Sequence, residues 1–214
     1  TRVRSSAASD VYKRQDLSDK NEIDEVIKEL PDTIDALFLC HGIAGFPGKE
    51  LLVQKVNFLS QKYMTEKLLD RISEHGSVTF ISSVGGFGWE QVYEKCVELI
   101  NLPSWEDSIN WYENHPDDIK SSYVFAKQCL ESYVTYKCMA PEFINKRIRI
   151  NAINPGDTIT GLTDDFNKST STTGDSKEGE EMINNIFLKS WNGYAAKPED
   201  MGYPLVLIGS DMFS

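Results

Sequence analysis

The 214 residues predict an α/β domain, a doubly wound parallel sheet with helices on its faces. Three observations carry that prediction. Short, nearly continuous apolar runs recur at Ile34 to Cys40 (IDALFLC), Ser77 to Ile81 (SVTFI) and Arg147 to Ile153 (RIRINAI), the pattern of strands covered on both faces. Long stretches with helical periodicity separate each run from the next. Each run also leads into a glycine-containing turn, and in such sheets ligands bind beyond the carboxyl ends of the strands.

Bulk properties narrow the function classes. A chain of this length with 40% apolar residues can bury a core without disulfide or metal staples. Its 33 acidic against 22 basic residues give a net charge of -11, which opposes partners held by clustered Lys and Arg. Neither nucleic acid nor an anionic membrane surface is expected as a partner. No stretch approaches the roughly 20 apolar residues of a membrane span, and no hydrophobic signal core opens the chain, so a cytoplasmic location is expected. The cysteines at 40, 96, 129 and 138 form no CxxC pair and the histidines at 41, 75 and 115 no ligand cluster. No metal site is expected, and the cysteines read as buried, reduced thiols.

Residues 1 to 15 (TRVRSSAASDVYKRQ) have four basic residues, one acid and no periodicity. They read as a non-native or disordered segment, of the kind left by a sequence join. From Asp16 the chain reads as one domain. Ser18 is the expected cap of a helix carrying Ile23, Val26, Ile27 and Leu30, which Pro31 ends. After the second strand, residues 86 to 121 hold two helical patterns, Glu90 to Leu102 and Ser104 to His115, with Trp89, Trp105, Trp111 and Tyr112 as anchors. Past the third strand, Asn167 to Glu180 (NKSTSTTGDSKEGE) is low in complexity and predicts a loop, either covering a site or a plain solvated connection.

The strand-end turns read Cys40-His41-Gly42-Ile43-Ala44-Gly45, Ser82-Ser83-Val84-Gly85-Gly86 and Asn154-Pro155-Gly156-Asp157-Thr158-Ile159-Thr160, and together predict a ligand crevice. Between the second and third strands, Tyr123 and Lys127 share a helix face at i and i+4. A phenol with a pKa of about 10 is a weak base at neutral pH, and a close ammonium favours the phenolate and makes it a usable proton shuttle. The same spacing recurs at Tyr63/Lys67 and Tyr133/Lys137. Only Tyr123 lies between a strand ending in paired serines and one ending in Asn-Pro-Gly. The other two pairs read as helix surface.

Ser83, Tyr123-xxx-Lys127, Asn57 in KVNFL, the run RIRINAINPGDTIT and the late KPEDMGYPLVLIGSD, in that family's chain order, resemble the short-chain dehydrogenase/reductase family over about residues 16 to 210. The resemblance implies a Rossmann-type fold and an NAD(P)-dependent oxidoreductase that moves a hydride between nicotinamide and a secondary alcohol or ketone. Tyr123 would be the general acid/base, Ser83 the partner of the substrate oxygen, Lys127 the group that lowers the Tyr123 pKa and binds the ribose, and Asn57 the holder of a relay water. Asp16 and Leu17 would meet the adenine side. Cys40, Gly42, Pro155, Gly156, Thr158, Ile159 and Thr160, with Tyr123 and Lys127, would line the rest of the cofactor.

Three departures from the family pattern matter. The first crevice loop reads Leu39-Cys40-His41-Gly42 in place of Asn-Asn-Ala-Gly, similar to the 3α-hydroxysteroid dehydrogenase/carbonyl reductase subgroup, whose members favour NAD slightly over NADP. His41 is expected to be structural. The long interval from Ser83 to Tyr123 implies an insertion that either shapes the substrate pocket or replaces the usual dimer face, ahead of a plain packing appendage, in a parent expected to be a homo-oligomer. No TGxxxGxG turn precedes Asp16 and no strand follows Ser214, so the chain is expected to lack the first strand-turn-helix unit and the last strand, and as given to bind neither NAD(H) nor NADP(H). The alternatives are a non-catalytic protein of the same fold that binds a nucleotide or partner, and a nucleotide-sugar epimerase or dehydratase, which also uses a Tyr-xxx-Lys pair.

Overall fold

The computed structural model describes residues 15–189 and 193–213. Residues 1–14, where the foreign segment was expected, lie outside the described residues. The chain runs α1 (Lys20–Glu29), β1 (Ile34–Leu39), α2 (Glu50–Gln54), α3 (Ser60–Leu68), β2 (Ile72–Ile81), α4 (Tyr93–Ile100), α5 (Trp105–Asn114), α6 (Ser122–Lys137), α7 (Pro141–Ile144), β3 (Arg149–Ile153), α8 (Thr163–Thr170), α9 (Ser176–Ile183) and α10 (Pro198–Gly209). Among the described residues, no helix is long and apolar enough to cross a membrane.

The three strands pair in parallel in the order β1-β2-β3. Side chains alternate between the two faces of β2. Val78 and Phe80 point into the main core, where Phe80 and Phe58 meet the ring of Tyr133 edge-on at 6.0 and 6.2 Å. Ser77 and its neighbours on the other face lie under α10. There Ser77 Oγ donates to Gly209 O at 2.7 Å, and a Cβ on Gly209 would stand 2.4 Å from the Phe38 ring, so only glycine lets this helix seat so closely. Helices thus cover both faces.

Several expectations need correction. Full cover on both faces holds for the central strand, but β1 pairs with β2 alone among the described strands and leaves Phe38 37% exposed. β2 begins at Ile72, ahead of the apolar run, through a polar stretch where His75 takes a left-handed φ of 65° and the pairing register shifts. β3 starts at Arg149, because Arg147 also has a left-handed φ, 54°. The cap of α1 is Asp19, whose side chain accepts from the Asn21 N–H, while Ser18 is held by Asp16 instead. Tyr133 is fully buried rather than on the helix surface, and Tyr63 is half-buried with its hydroxyl on Asp24 at 2.6 Å. Cys96 and Cys129 are buried, whereas Cys40, just past an edge strand, and Cys138, at the end of α6, are exposed.

Helices α4 and α5 belong to the main core. Cys96, Leu99, Ile100, Trp105, Trp111 and Tyr112 are all buried in the cluster that contains Phe58 and Phe80. Trp111 stacks on Phe125 of α6 with ring centroids 6.1 Å apart and planes 7° apart. The interval between Ser83 and Tyr123 therefore braces the helix that carries Tyr123 and Lys127.

The stretch expected as a loop, Asn167 to Glu180, is mostly helical: it ends α8, turns, and starts α9. Asp175 caps α9 by accepting from the Lys177 and Glu178 N–H groups. The Glu178 carboxylate closes the turn by accepting from the hydroxyls of Ser171, at 2.6 Å, Thr172 and Thr173. Ser, Thr and Asp favour such local hydrogen bonds, which cap helices as readily as they make loops.

Candidate active site

The first strand-end turn is held from behind by one helical segment. Asn57 sits in a π-helical turn, Lys55–Leu59, between α2 and α3, and is fully buried. Its Nδ2 donates to Ile43 O at 2.9 Å and its Oδ1 accepts from the Ile43 N–H at 2.8 Å. Gln61, one turn on, donates to His41 O at 3.0 Å. A Cβ on Gly42 would lie 3.3 Å from Asn57 Oδ1 and 3.9 Å from Lys127 Nζ, so the turn, the amide and the amine meet at one crowded point.

The second and third turns are tied together. Ser82 N–H donates to Ile153 O at 2.9 Å and Val84 N–H to Pro155 O at 3.0 Å. Ser83 Oγ accepts from the Gly85 N–H at 3.0 Å, which leaves its own proton directed elsewhere. The Tyr123 phenol, one residue into α6, lies beside the Ser83 hydroxyl: a Cβ on Gly85 would meet Tyr123 Cε1 at 3.2 Å and Ser83 Oγ at 3.4 Å. A Cβ on Gly45 would lie against the Tyr123 Cβ at 3.1 Å. Lys127 is buried, donates from Nζ to Ile81 O at 2.8 Å, and stands 5.7 Å from the Tyr123 ring centroid. Asn57, Ser83, Tyr123 and Lys127, far apart in sequence, thus form one cluster.

Burial dominates the electrostatics. It holds the Lys127 amine down to about 8, against an opposing pull from Glu131. It pushes the Tyr123 phenol above its ordinary value, with the Ser83 hydroxyl pulling the other way. Burial thus outweighs any lowering of the phenol by Lys127, whose Nζ donates to Ile81 O and stands 5.7 Å from the ring centroid. His41 is held at about 4 by burial and then by the charge of Lys127, so it is neutral at pH 7. Its Nε2 lies 2.8 Å from Ser60 Oγ, a structural partnership.

The residues expected on the adenine side converge. Asp16, Leu17, His41, Gly42 and Val56 line one cleft of about 590 Å³ beyond the end of β1. The Asp16 carboxyl lies below its ordinary range because the Ser18 hydroxyl and N–H donate to it. Cys40 is exposed at the same strand end. The third turn is more occupied than expected. Ile159 N–H donates to Ala196 O at 2.9 Å, and Thr158 pairs with Ala196. Thr160 Oγ1 accepts from the Leu162 N–H at 3.1 Å, and Thr158 Oγ1 donates to Gly156 O at 3.2 Å. The Ile159 N–H and the Thr160 hydroxyl are thus used within the protein.

A nicotinamide dinucleotide fits this edge. The glycine at 42 clears the approach, a buried amine waits behind it, and the cleft extends from there to Asp16. Sequence reading missed Gln61 and Phe166. Phe166 meets the Tyr123 ring edge-on, with centroids 5.1 Å apart and planes at 80°. It was hidden beside a stretch taken for a loop.

No family model matches the chain. Over 164 residues it is 34% identical to the coniferyl-alcohol dehydrogenase of a Pseudomonas species, which covers 75% of this chain and 62% of that one. The chain therefore spans less than two thirds of that relative. Among solved structures, the 3-alpha-hydroxysteroid dehydrogenase from Pseudomonas sp. B-0831, complexed with NADH, superposes with a TM-score of 0.71 at 16% identity, over 94% of this chain and 76% of that one. A short chain dehydrogenase family protein from Francisella tularensis subsp. tularensis SCHU S4 gives 0.65 at 18% identity, over 93% and 73%. The chain is thus similar in sequence to a dehydrogenase, and it shares its parallel, Rossmann-like sheet with solved short-chain dehydrogenase structures.

Proposed function

We propose that the protein is an NAD(P)-dependent oxidoreductase that interconverts an alcohol and its carbonyl compound, with secondary alcohols and ketones as the class implied by its motifs. The observation that carries this reading is the convergence of Ser83 and the Tyr123 ring at Gly85, with the buried Lys127 amine 5.7 Å from that ring. The relative named for coniferyl alcohol makes that compound the first to assay. The neighbour complexed with NADH favours NAD(H) as the first cofactor to test. We read residues 16–214 as one partial domain, with 86–121 as its insertion, and the full-length protein as a cytoplasmic homo-oligomer acting on small molecules.

In this reading the bound nicotinamide supplies or accepts the hydride. Ser83, with its oxygen already accepting from the Gly85 N–H, points its proton at the substrate oxygen and stabilises charge that develops there. Tyr123 Oη gives its proton to that oxygen in reduction and takes it back in oxidation. The high phenol pKa set by burial keeps Tyr123 protonated at neutral pH, ready to act as the acid. Lys127 Nζ holds a positive charge beside the ring and is placed to meet a ribose. Asn57, with both side-chain polar atoms on the Ile43 peptide, acts as a positioning residue for the first turn. Asp16, Leu17, Cys40 and Gly42 line the adenosine side, and Pro155, Gly156, Thr158, Ile159 and Thr160 the nicotinamide end.

The test is Tyr123→Phe in the full-length protein. Loss of proton transfer should lower kcat by about 10²- to 10⁴-fold while NADH binding, followed by its fluorescence, survives. Tyr63→Phe, at a tyrosine bonded to Asp24, should leave kcat near the parent value. Full activity in Tyr123→Phe refutes the proposal.

A further inference from the structure

The hairpin of α8 and α9 brings a single aromatic ring to the catalytic cluster, and we infer that Phe166 is a positioning residue for Tyr123, fixing the plane of its phenol and keeping water from it. The inference rests on the reading of Tyr123 as the general acid/base.

The path from β3 to Phe166 is short and tightly held. Thr160 N–H donates to Thr163 Oγ1 at 2.8 Å and Leu162 N–H to Thr160 Oγ1 at 3.1 Å, so the entry to α8 is fixed by two local hydrogen bonds. Phe166 follows within the first turn of that helix. The helix is then held from outside by α9. A Cβ on Gly179 would stand 1.8 Å from Asn167 O, so the two helices cross backbone against backbone, next to Phe166. Asn167 is buried at this crossing. The turn between them is latched by Glu178 through the hydroxyls of Ser171, Thr172 and Thr173. Those donors hold the Glu178 carboxyl at about 2, so the latch persists across the working pH range.

The Tyr123 ring is then bounded by three groups: Gly85 at its Cε1 edge, Lys127 Nζ at 5.7 Å from its centroid, and Phe166 edge-on at 5.1 Å. Phe166 covers part of the ring that Gly85 and Lys127 do not, and Tyr123 as a whole is half-buried. An edge-to-face pair restricts ring rotation and adds to the burial that keeps the phenol protonated. Without that ring the phenol gains solvent and orientational freedom. A proton donor that wanders loses rate with little change in cofactor affinity.

Three variants decide the matter: Phe166→Leu, Phe166→Tyr and Glu178→Ala. In the ligand-free protein, the Tyr123 phenol is titrated by NMR of ¹³C-labelled tyrosine, its signal assigned by its loss in Tyr123→Phe. Phe166→Leu should move that titration to lower pH, Phe166→Tyr should restore it, and Glu178→Ala should move it part of the way. In the full-length enzyme, Phe166→Leu should lower kcat by roughly two- to twelvefold, the range of an aromatic edge contact, shift the pH profile in the same direction and leave KM for the nicotinamide cofactor nearly unchanged. An unmoved titration in Phe166→Leu overturns the inference. If that variant does not fold, an unmoved titration in Glu178→Ala overturns it instead. Loss of catalysis in Tyr123→Phe with an unmoved titration in Phe166→Leu refutes Phe166 alone, and full activity in Tyr123→Phe refutes the proton-transfer role on which it rests.

Discussion

Replacing Lys127 by Met should stabilise the protein at neutral pH while removing its activity. Lys127 is 3% exposed, and burial holds its amine at about 8 against an ordinary value of 10.5. At about 1.4 kcal/mol per pH unit, that displacement means the charged amine costs folding about 3 kcal/mol at pH 7. Met has a similar shape and no charge to desolvate, but it gives up the bond from Nζ to Ile81 O, worth about 1 kcal/mol. The balance is a gain of about 2 kcal/mol, or about 4–8 °C in Tm for a chain of this size. The pH dependence gives a second check. Between about pH 8 and 10.5 the unfolded chain binds a proton at this lysine that the folded chain has released, so the parent gains stability as pH rises through that window. Lys127→Met does not, and the gap between the two proteins should close near pH 10 and reverse above it, as only the lost bond to Ile81 O remains. Urea denaturation of both proteins at pH 7 and pH 10 measures it. A variant less stable than the parent at pH 7, or a gap independent of pH, refutes the view of Lys127 as a charge kept for function at a cost in stability.

Gly85→Ala places a methyl group 3.2 Å from Tyr123 Cε1 and 3.4 Å from Ser83 Oγ, and should lower kcat by about tenfold or more with little change in Tm; an unchanged kcat contradicts the packing of that ring. His41, held at about 4 against an ordinary 6.5, binds a proton in the unfolded chain before the folded one, so stability should fall by roughly 3 kcal/mol as pH drops from 6.5 to 4. His41→Gln should flatten that part of the curve, and a parallel loss in both proteins would place the effect at other groups. An aromatic disulfide reagent should label Cys40 and Cys138 in the native protein and reach Cys96 and Cys129 only on unfolding, whereas rapid labelling of all four contradicts the burial of the inner pair.

What could be read from the sequence was whatever depends on local pattern. The apolar runs from 34, 77 and 147 announce strands because a buried run is apolar whatever lies over it, although β2 and β3 begin at Ile72 and Arg149, and the small residues of the turns at Gly42 and Gly85 mark where other side chains crowd the backbone. Tyr123 and Lys127 were recoverable because spacing puts them on one helix face and their position between two strands gives that face a site. What the spacing could not show is where the ammonium ends up: it donates to Ile81 O, on a strand far away in sequence, and stands 5.7 Å from the centroid of the Tyr123 ring. Exposure along β1 was equally beyond reach, since cover is a property of neighbours, and β1 pairs only with β2 among the described strands. The aromatic anchors at 105, 111 and 112 were visible, but their target, the helix that carries Tyr123, was not. The stretch from 167 to 180 shows the limit most clearly. Its hydroxyls and acids were evidence of local hydrogen bonding, and those bonds close a turn around Glu178 rather than leave the chain to solvent. Composition there reports the kind of bond available, while the crossing at Gly179, which only folding reveals, decides that the segment holds a ring against Tyr123.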